Sequence, residues 1–146
     1  ETVVAFKETV AASDATFRIL ISPTPVVGPD NLDKSDSHAN EGFGTEGEEL
    51  RRFLAENNMI VICGDRHWQY VSVDEKTGLR EYATGAASDA HAGGWIQGDV
   101  RPEHLYVNVV GGFLSVTAER QNFVPTLTLR NHNVDGEILF EDRLIR

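Results

Sequence analysis

The sequence predicts an α/β chain close to the border with α+β. It has one mixed β-sheet, about two helices and an antiparallel meander at its carboxyl end. Three observations carry this. Two segments with helical apolar spacing, around Phe6 and around Phe53, each lead into a short apolar run, FRILIS and MIVIC. MIVIC is apolar without alternation, the pattern of a strand covered on both faces. From Trp68 onward, short runs rich in β-branched and aromatic residues are separated by turns containing Gly and Asp.

Taken in order, Val3, Phe6 and Val10 recur at helical spacing, so the first dozen residues read as a helix that Ser13 and Asp14 end. Residues 17–22 have the composition of a strand. The prolines of SPTP stop it, since Pro removes a ladder donor. Residues 27–44 are dense in Gly, Pro, Asp, Ser and Asn, a long loop of the kind that is functional or disordered in compact domains. Thr45 and Glu48 have capping-box spacing. The helix they open carries Leu50, Phe53 and Leu54 on one face and ends near Asn57 and Asn58. After the strand at 59–63, residues 68–73 and 79–83 flank DEKTG as a hairpin. A Gly, Ala and Ser-rich loop covers 84–95. Runs at 105–110 and 113–119 flank Gly111-Gly112, and runs at 126–132 and 137–142 flank Asp135-Gly136, a strong hairpin signal. These last strands either close the sheet or start a second layer.

A chain of 146 residues suits one domain with a real core. It has no run near the ~18 apolar residues of a membrane helix and no charged-then-apolar leader. It opens on Glu1, so a mature form, a proteolytic product or a cut chain is expected. The net charge of -10 argues against nucleic-acid partners and against an anionic membrane surface. An acidic protein still binds anionic substrates where metal ions reverse the charge locally. The single cysteine, Cys63, excludes an internal disulfide and reads as a small buried hydrophobe.

Three clusters could carry chemistry. Gly64-Asp65-Arg66-His67 follows an apolar strand, and ligands gather at the carboxyl ends of strands in open α/β sheets. If the chain stays extended there, Asp65 and His67 face one side with Cα atoms roughly 6.5 Å apart. That span suits one ligand on each ion of a pair about 3.5–4 Å apart. The same residues also read as a polar strand end with His67 hydrogen-bonded. In the long loop, Asp36, His38 and Asn40 alternate and could hold a phosphate or support metal ligands, or could be solvated turns. Ser88, Asp89 and His91, followed by Gly93, Gly94 and Trp95, could form a mobile pocket wall or a plain surface loop. His104 and His132 are expected at the surface or just behind the ligands. There is no Gly-x-Ser-x-Gly elbow, P-loop, Cys-x-x-Cys or His-Glu-x-x-His motif.

The series ASDATFRILISPTPVVGPD, KSDSHANEGFGTEGEELRRFL, VICGDRHWQY, GAASDAHAGGW and GGFLSVTAER resembles the carboxyl-terminal part of the alkaline-phosphatase-D family. That family is a branch of the calcineurin-like metallophosphoesterases. The resemblance runs from about Ala12 to the end. It implies two β-sheets packed face to face, helices outside, and a two-metal site at one edge that hydrolyses phosphate mono- or diesters. It implies that Asp65 binds the second metal and His67 the first, with iron and calcium as the ions and zinc or manganese as alternatives. It places Asp36, His38 and Asn40 on a substrate-facing loop. In such an enzyme Asp36, Asn40 and Arg66 are the candidate substrate-binding residues, and His38 or His91 could protonate the leaving group. A periplasmic or secreted location goes with the family.

The family's earlier motifs are a first metal-binding Asp or Cys, a Gly-Asp-x-x-Asp element and a Gly-Asn-His-(Asp/Glu) element. No such series precedes Gly64. The expectation is therefore a single unit, residues 1–146, forming the carboxyl-terminal half of the catalytic domain and inactive alone. Its exposed packing surface would favour homo-oligomers. The competing reading is a non-catalytic acidic α/β module that associates with itself or with another chain. A third is a single structural divalent cation at Asp65 and His67.

Overall fold

The computed structural model describes residues 2–146, with side chains from Val4 onward. The helices are α1, Thr2–Ala12, and α2, Gly44–Glu56. The strands are β1, Arg18–Ser22; β2, Met59–Cys63; β3, Gln69–Val73; β4, Arg80–Thr84; β5, His104–Asn108; β6, Gly112–Gln121; β7, Val124–Asn133; and β8, Ile138–Ile145.

β1 to β5 form one sheet in the order β1-β2-β4-β3-β5. The pairs β1·β2 and β2·β4 are parallel, with Leu20 opposite Val61 and Ile62 opposite Tyr82. β3 pairs antiparallel with β4 and with β5. β6, β7 and β8 form a separate three-stranded antiparallel sheet. The meander therefore starts a second layer rather than closing the first sheet. Gly111-Gly112 marks the crossing between layers, since β5 and β6 belong to different sheets.

The lack of alternation in MIVIC now has its cause. Met59, Val61 and Cys63 face a cluster with Val10 of α1, Leu54 of α2, and Phe6, Leu50 and Phe53 at its margin. Ile60 and Ile62 face the other way, toward Leu127 and Leu129 of β7 and Leu144 and Phe140 of β8. Helices cover one face of the five-stranded sheet and the meander covers the other. Each fully buried Leu or Ile contributes roughly 1.5–3 kcal/mol of transfer free energy. Polar ties fix the register of the layers. Asp142 Oδ2 accepts from Arg80 Nη1 at 2.5 Å and from the Tyr82 hydroxyl at 2.7 Å, and Gln69 Nε2 donates to the His132 carbonyl at 2.8 Å.

The capping box is not formed. A short 3-10 turn, Glu41–Phe43, runs straight into α2, so Phe43 takes the N-cap position without a side-chain hydrogen bond. Thr45 thus lies inside the first turn, and Glu48 accepts from Lys76 Nζ at 2.6 Å instead. Cys63 is buried as expected. Of the two positions expected for His104, the surface is not the one it takes. It opens β5 under the loop that carries Trp95, is 8% exposed, and packs edge-on to that indole with centroids 5.5 Å apart. Burial lowers its pKa. His132 is half-buried in β7, stacked on Phe113 at 4.6 Å, with Ser115 Oγ 2.8 Å from Nε2.

Candidate functional site

The chain leaves β2 at Cys63 and does not stay extended. Arg66 N–H donates to the Gly64 carbonyl at 2.8 Å, closing a tight turn with Asp65 at its centre. Asp65 has φ 65, a left-handed conformation that costs a non-glycine residue on the order of 1 kcal/mol. The extended geometry expected for Asp65 and His67 is thereby corrected. The turn achieves a similar exposure by another route: Asp65 and His67 both face solvent at the carboxyl end of β2, while Arg66 between them points inward.

Arg66 is 2% exposed, and its guanidinium is surrounded by carboxylates. Nε donates to Asp30 Oδ1 at 2.8 Å and Nη2 to Asp30 Oδ2 at 2.6 Å. Nη2 also donates to Asp36 Oδ1 at 2.6 Å, and Nη1 to Asp65 Oδ2. The Asp30 side chain is 1% exposed, whereas those of Asp36 and Asp65 are 55% and 53% exposed. The hydrogen bond from Arg66 holds the Asp36 carboxyl below its ordinary pKa, and Asp30 raises that of the guanidinium. The guanidinium is thus occupied by the protein's own carboxylates rather than presented to a ligand.

The loop after β1 is shaped around this cluster. The Asp30 carboxylate is further held by Asn31 N–H at 2.9 Å and by the Ser37 hydroxyl at 2.8 Å. Asn40 turns inward on its own loop, its Oδ1 accepting from Ser37 N–H at 3.0 Å. Arg51 of α2 reaches back to donate to the carbonyls of Val26 at 2.8 Å and His38 at 3.0 Å. Gly47 permits that close approach, because a Cβ there would run into the His38 carbonyl.

The two histidines proposed as proton donors lie in different surroundings. His38 Nε2 is 3.5 Å from Glu46 Oε1, and its ring lies 5.8 Å from that of Phe43. It lines a groove between α1, α2 and β1, together with Phe6, Ile21 and Phe53. His91 is exposed on the loop after β4, its Nδ1 2.9 Å from Ser88 Oγ. That loop is tied to the Asp65 turn, since Gly93 N–H donates to the His67 carbonyl at 2.9 Å. Asn31 Nδ2 bonds the Gly94 carbonyl, so both flanking loops meet beside β2. Trp95 stacks on Trp68 at 5.4 Å and lines a cavity of about 400 Å³ with Asp30, Leu32 and Arg101.

An exposed carboxylate and an exposed imidazole suit divalent or trivalent cations in kind. In number they do not complete a site: among the described residues no group of three or more His, Cys, Asp or Glu side chains is placed to hold an ion. Two further residues of the arrangement were missed in the sequence. Asp30 and Glu81 carry no motif, and their partners lie 36 and up to 55 residues away.

No family model matches this chain, and no curated protein matches it. Solved structures do match it, among them the two that follow. One is GAP50, the anchor in the inner membrane complex of Plasmodium, at 16% identity and a TM-score of 0.67 over 96% of this chain and 40% of that one. The other is PhoD, at 15% identity and a TM-score of 0.62 over 98% of this chain and 31% of that one. The chain therefore has the fold of one part of PhoD and of GAP50, and it spans less than half the length of either.

Proposed function

We propose that this chain is the carboxyl-terminal part of a metal-dependent phosphoesterase catalytic domain and carries its last metal-binding corner. Asp65 and His67 would each give a ligand, to different ions. The observation that carries the reading is the Asp65 turn: a strained left-handed aspartate at the carboxyl end of a central strand, exposed beside an exposed histidine. The likeness in fold to part of PhoD agrees with the sequence's resemblance to the alkaline-phosphatase-D family.

The remaining ligands would come from a longer polypeptide. When bound, a pair of ions lowers the pKa of a water and takes up charge on the phosphoryl oxygens. This chain's residues would do the rest. His91, exposed on the loop tied to His67, is the better-placed group to protonate the leaving oxygen, because His38 is turned toward Glu46. Asp36 faces solvent beside Asp65 and borders the substrate side. Arg66 acts on the carboxylates rather than on phosphate. Iron and calcium, with zinc or manganese as alternatives, are the proposed ions. Hydrolysis of an aryl phosphodiester by the longest natural form containing this sequence tests the reading. Asp65→Asn and His67→Ala should each reduce kcat by at least about a hundredfold. Full turnover in both variants would refute it.

A second reading has its own support. The Arg66 guanidinium already neutralises Asp65, and an apolar groove with Phe6, Ile21 and Phe53 lies beside the edge strand β1. Both suit a non-catalytic module whose edge and groove pack against a second copy or another chain. Sedimentation of the isolated chain distinguishes them: a dimer that Ile21→Asp dissociates, with no turnover in the longest form, favours the module.

A further inference from the structure

Glu81 is the second residue of β4 and is 0% exposed. Its carboxylate accepts four hydrogen bonds. Three come from consecutive backbone amides of the loop after β1: Val26 at 2.6 Å, Val27 at 3.0 Å and Gly28 at 2.9 Å. The fourth comes from the Tyr70 hydroxyl of β3 at 2.8 Å. Three successive N–H groups turned on one point form an anion-binding nest. Here the anion is a side chain of the protein itself. Gly28, at φ 76, completes the nest, and a Cβ there would meet Asp30 N at 2.9 Å and Ala39 Cβ at 3.0 Å. A buried carboxylate is tolerated only when its oxygens are satisfied, so the loop and the carboxylate require each other.

Two residues beyond the nest the same loop carries Asp30, which holds Arg66 at two points. We propose that Glu81 is a positioning residue for the Asp65 corner. By fixing the amides of Val26–Gly28 it sets where Asp30 stands. Asp30 sets the Arg66 guanidinium, and the guanidinium holds the Asp65 carboxylate and, on its other side, Asp36. A strand in the core thus determines the geometry of an exposed turn through one loop. A neutral residue at position 81 could fill the same volume without organising the loop. Glutamine would turn an amide N–H₂ toward backbone donors.

The importance of this linkage for function rests on the reading of Asp65 as a ligand, but the linkage itself is tested without metal. Hydrogen exchange and NMR on this chain with Glu81→Gln provide the test. The amides of Val26–Gly28 and of Arg66, and the Arg66 Nε–H signal, should lose protection by at least about tenfold. The amides of β6–β8 should keep theirs. Unchanged protection at Arg66 while Val26–Gly28 opens would overturn the proposal, as would an equal loss in every strand. Should that variant not fold, Tyr70→Phe removes one donor and leaves the carboxylate. It should shift Arg66 in the same direction by a smaller factor, and no shift there overturns the proposal. Full turnover in Asp65→Asn and His67→Ala would instead remove the phosphoesterase reading and leave the linkage standing.

Discussion

Asp30 and Arg66 form a two-point ion pair out of solvent, Oδ1 to Nε at 2.8 Å and Oδ2 to Nη2 at 2.6 Å, with side-chain exposures of 1% and 2%. The pair joins the loop after β1 to the turn after β2. Removing one partner of a buried pair leaves an uncompensated charge, and that loss outweighs the net value of the pair itself. Asp36 and Asp65 remain to offset part of it. Asp30→Ala should therefore destabilise the fold by about 3 kcal/mol, read as a drop in the urea midpoint at unchanged slope.

Gly47→Ala separates helix propensity from packing. Alanine in a helix interior is favoured over glycine by about 1 kcal/mol. At this position the added methyl meets the His38 carbonyl, which Arg51 holds in place at 3.0 Å. Overpacking of this kind costs about 1–3 kcal/mol, so the net effect should be a loss of stability, measured by thermal unfolding.

Stability should depend on pH in two opposed steps. Burial raises the Glu81 carboxyl above its ordinary 4.5, against the pull of its four donors. Between the ordinary and the raised value the folded state binds more protons than the unfolded one. The Glu81 contribution is thus complete below the ordinary value and is lost as pH rises through the folded one. Asp36 has the opposite sign. Arg66 lowers its carboxyl below 3.8, so its contribution is present above that value and is lost as pH falls through the lowered one. Urea midpoints across the acid range should show the falling limb flattened by Glu81→Gln and the acid limb flattened by Asp36→Asn.

Cys63 should be inert in the folded protein. It is 1% exposed on the helix-facing side of β2, its Sγ is 3.4 Å from the Tyr70 hydroxyl, and burial pushes its pKa well up. A thiolate reagent should label it only at the rate of global opening, with full reaction in urea. Rapid labelling in buffer would show that the core around β2 opens locally.

The sheet was legible because its signals are local. MIVIC lacks alternation since Ile60 and Met59 look into different clusters, and Asp135-Gly136 marks the β7–β8 turn with Gly136 at φ 86. At Asp65-x-His67 the local pattern marked a polar corner at the end of β2, but the extended geometry read from it gives way to a tight turn centred on Asp65. The support of that corner was not legible, because it is tertiary. Asp30 sits unremarked in GPD until Arg66 meets it, and Glu81 reads as an ordinary strand residue until three amides from another loop close on it. The capping box misled because a 3-10 turn preceding the helix moved its start upstream of Thr45.

Metal stoichiometry of the longest natural form containing this sequence, measured with and without Asp65→Asn and His67→Ala, tests the central claim most directly. The account predicts two ions per protein, with each variant losing one of them. Two ions retained in both variants would contradict it.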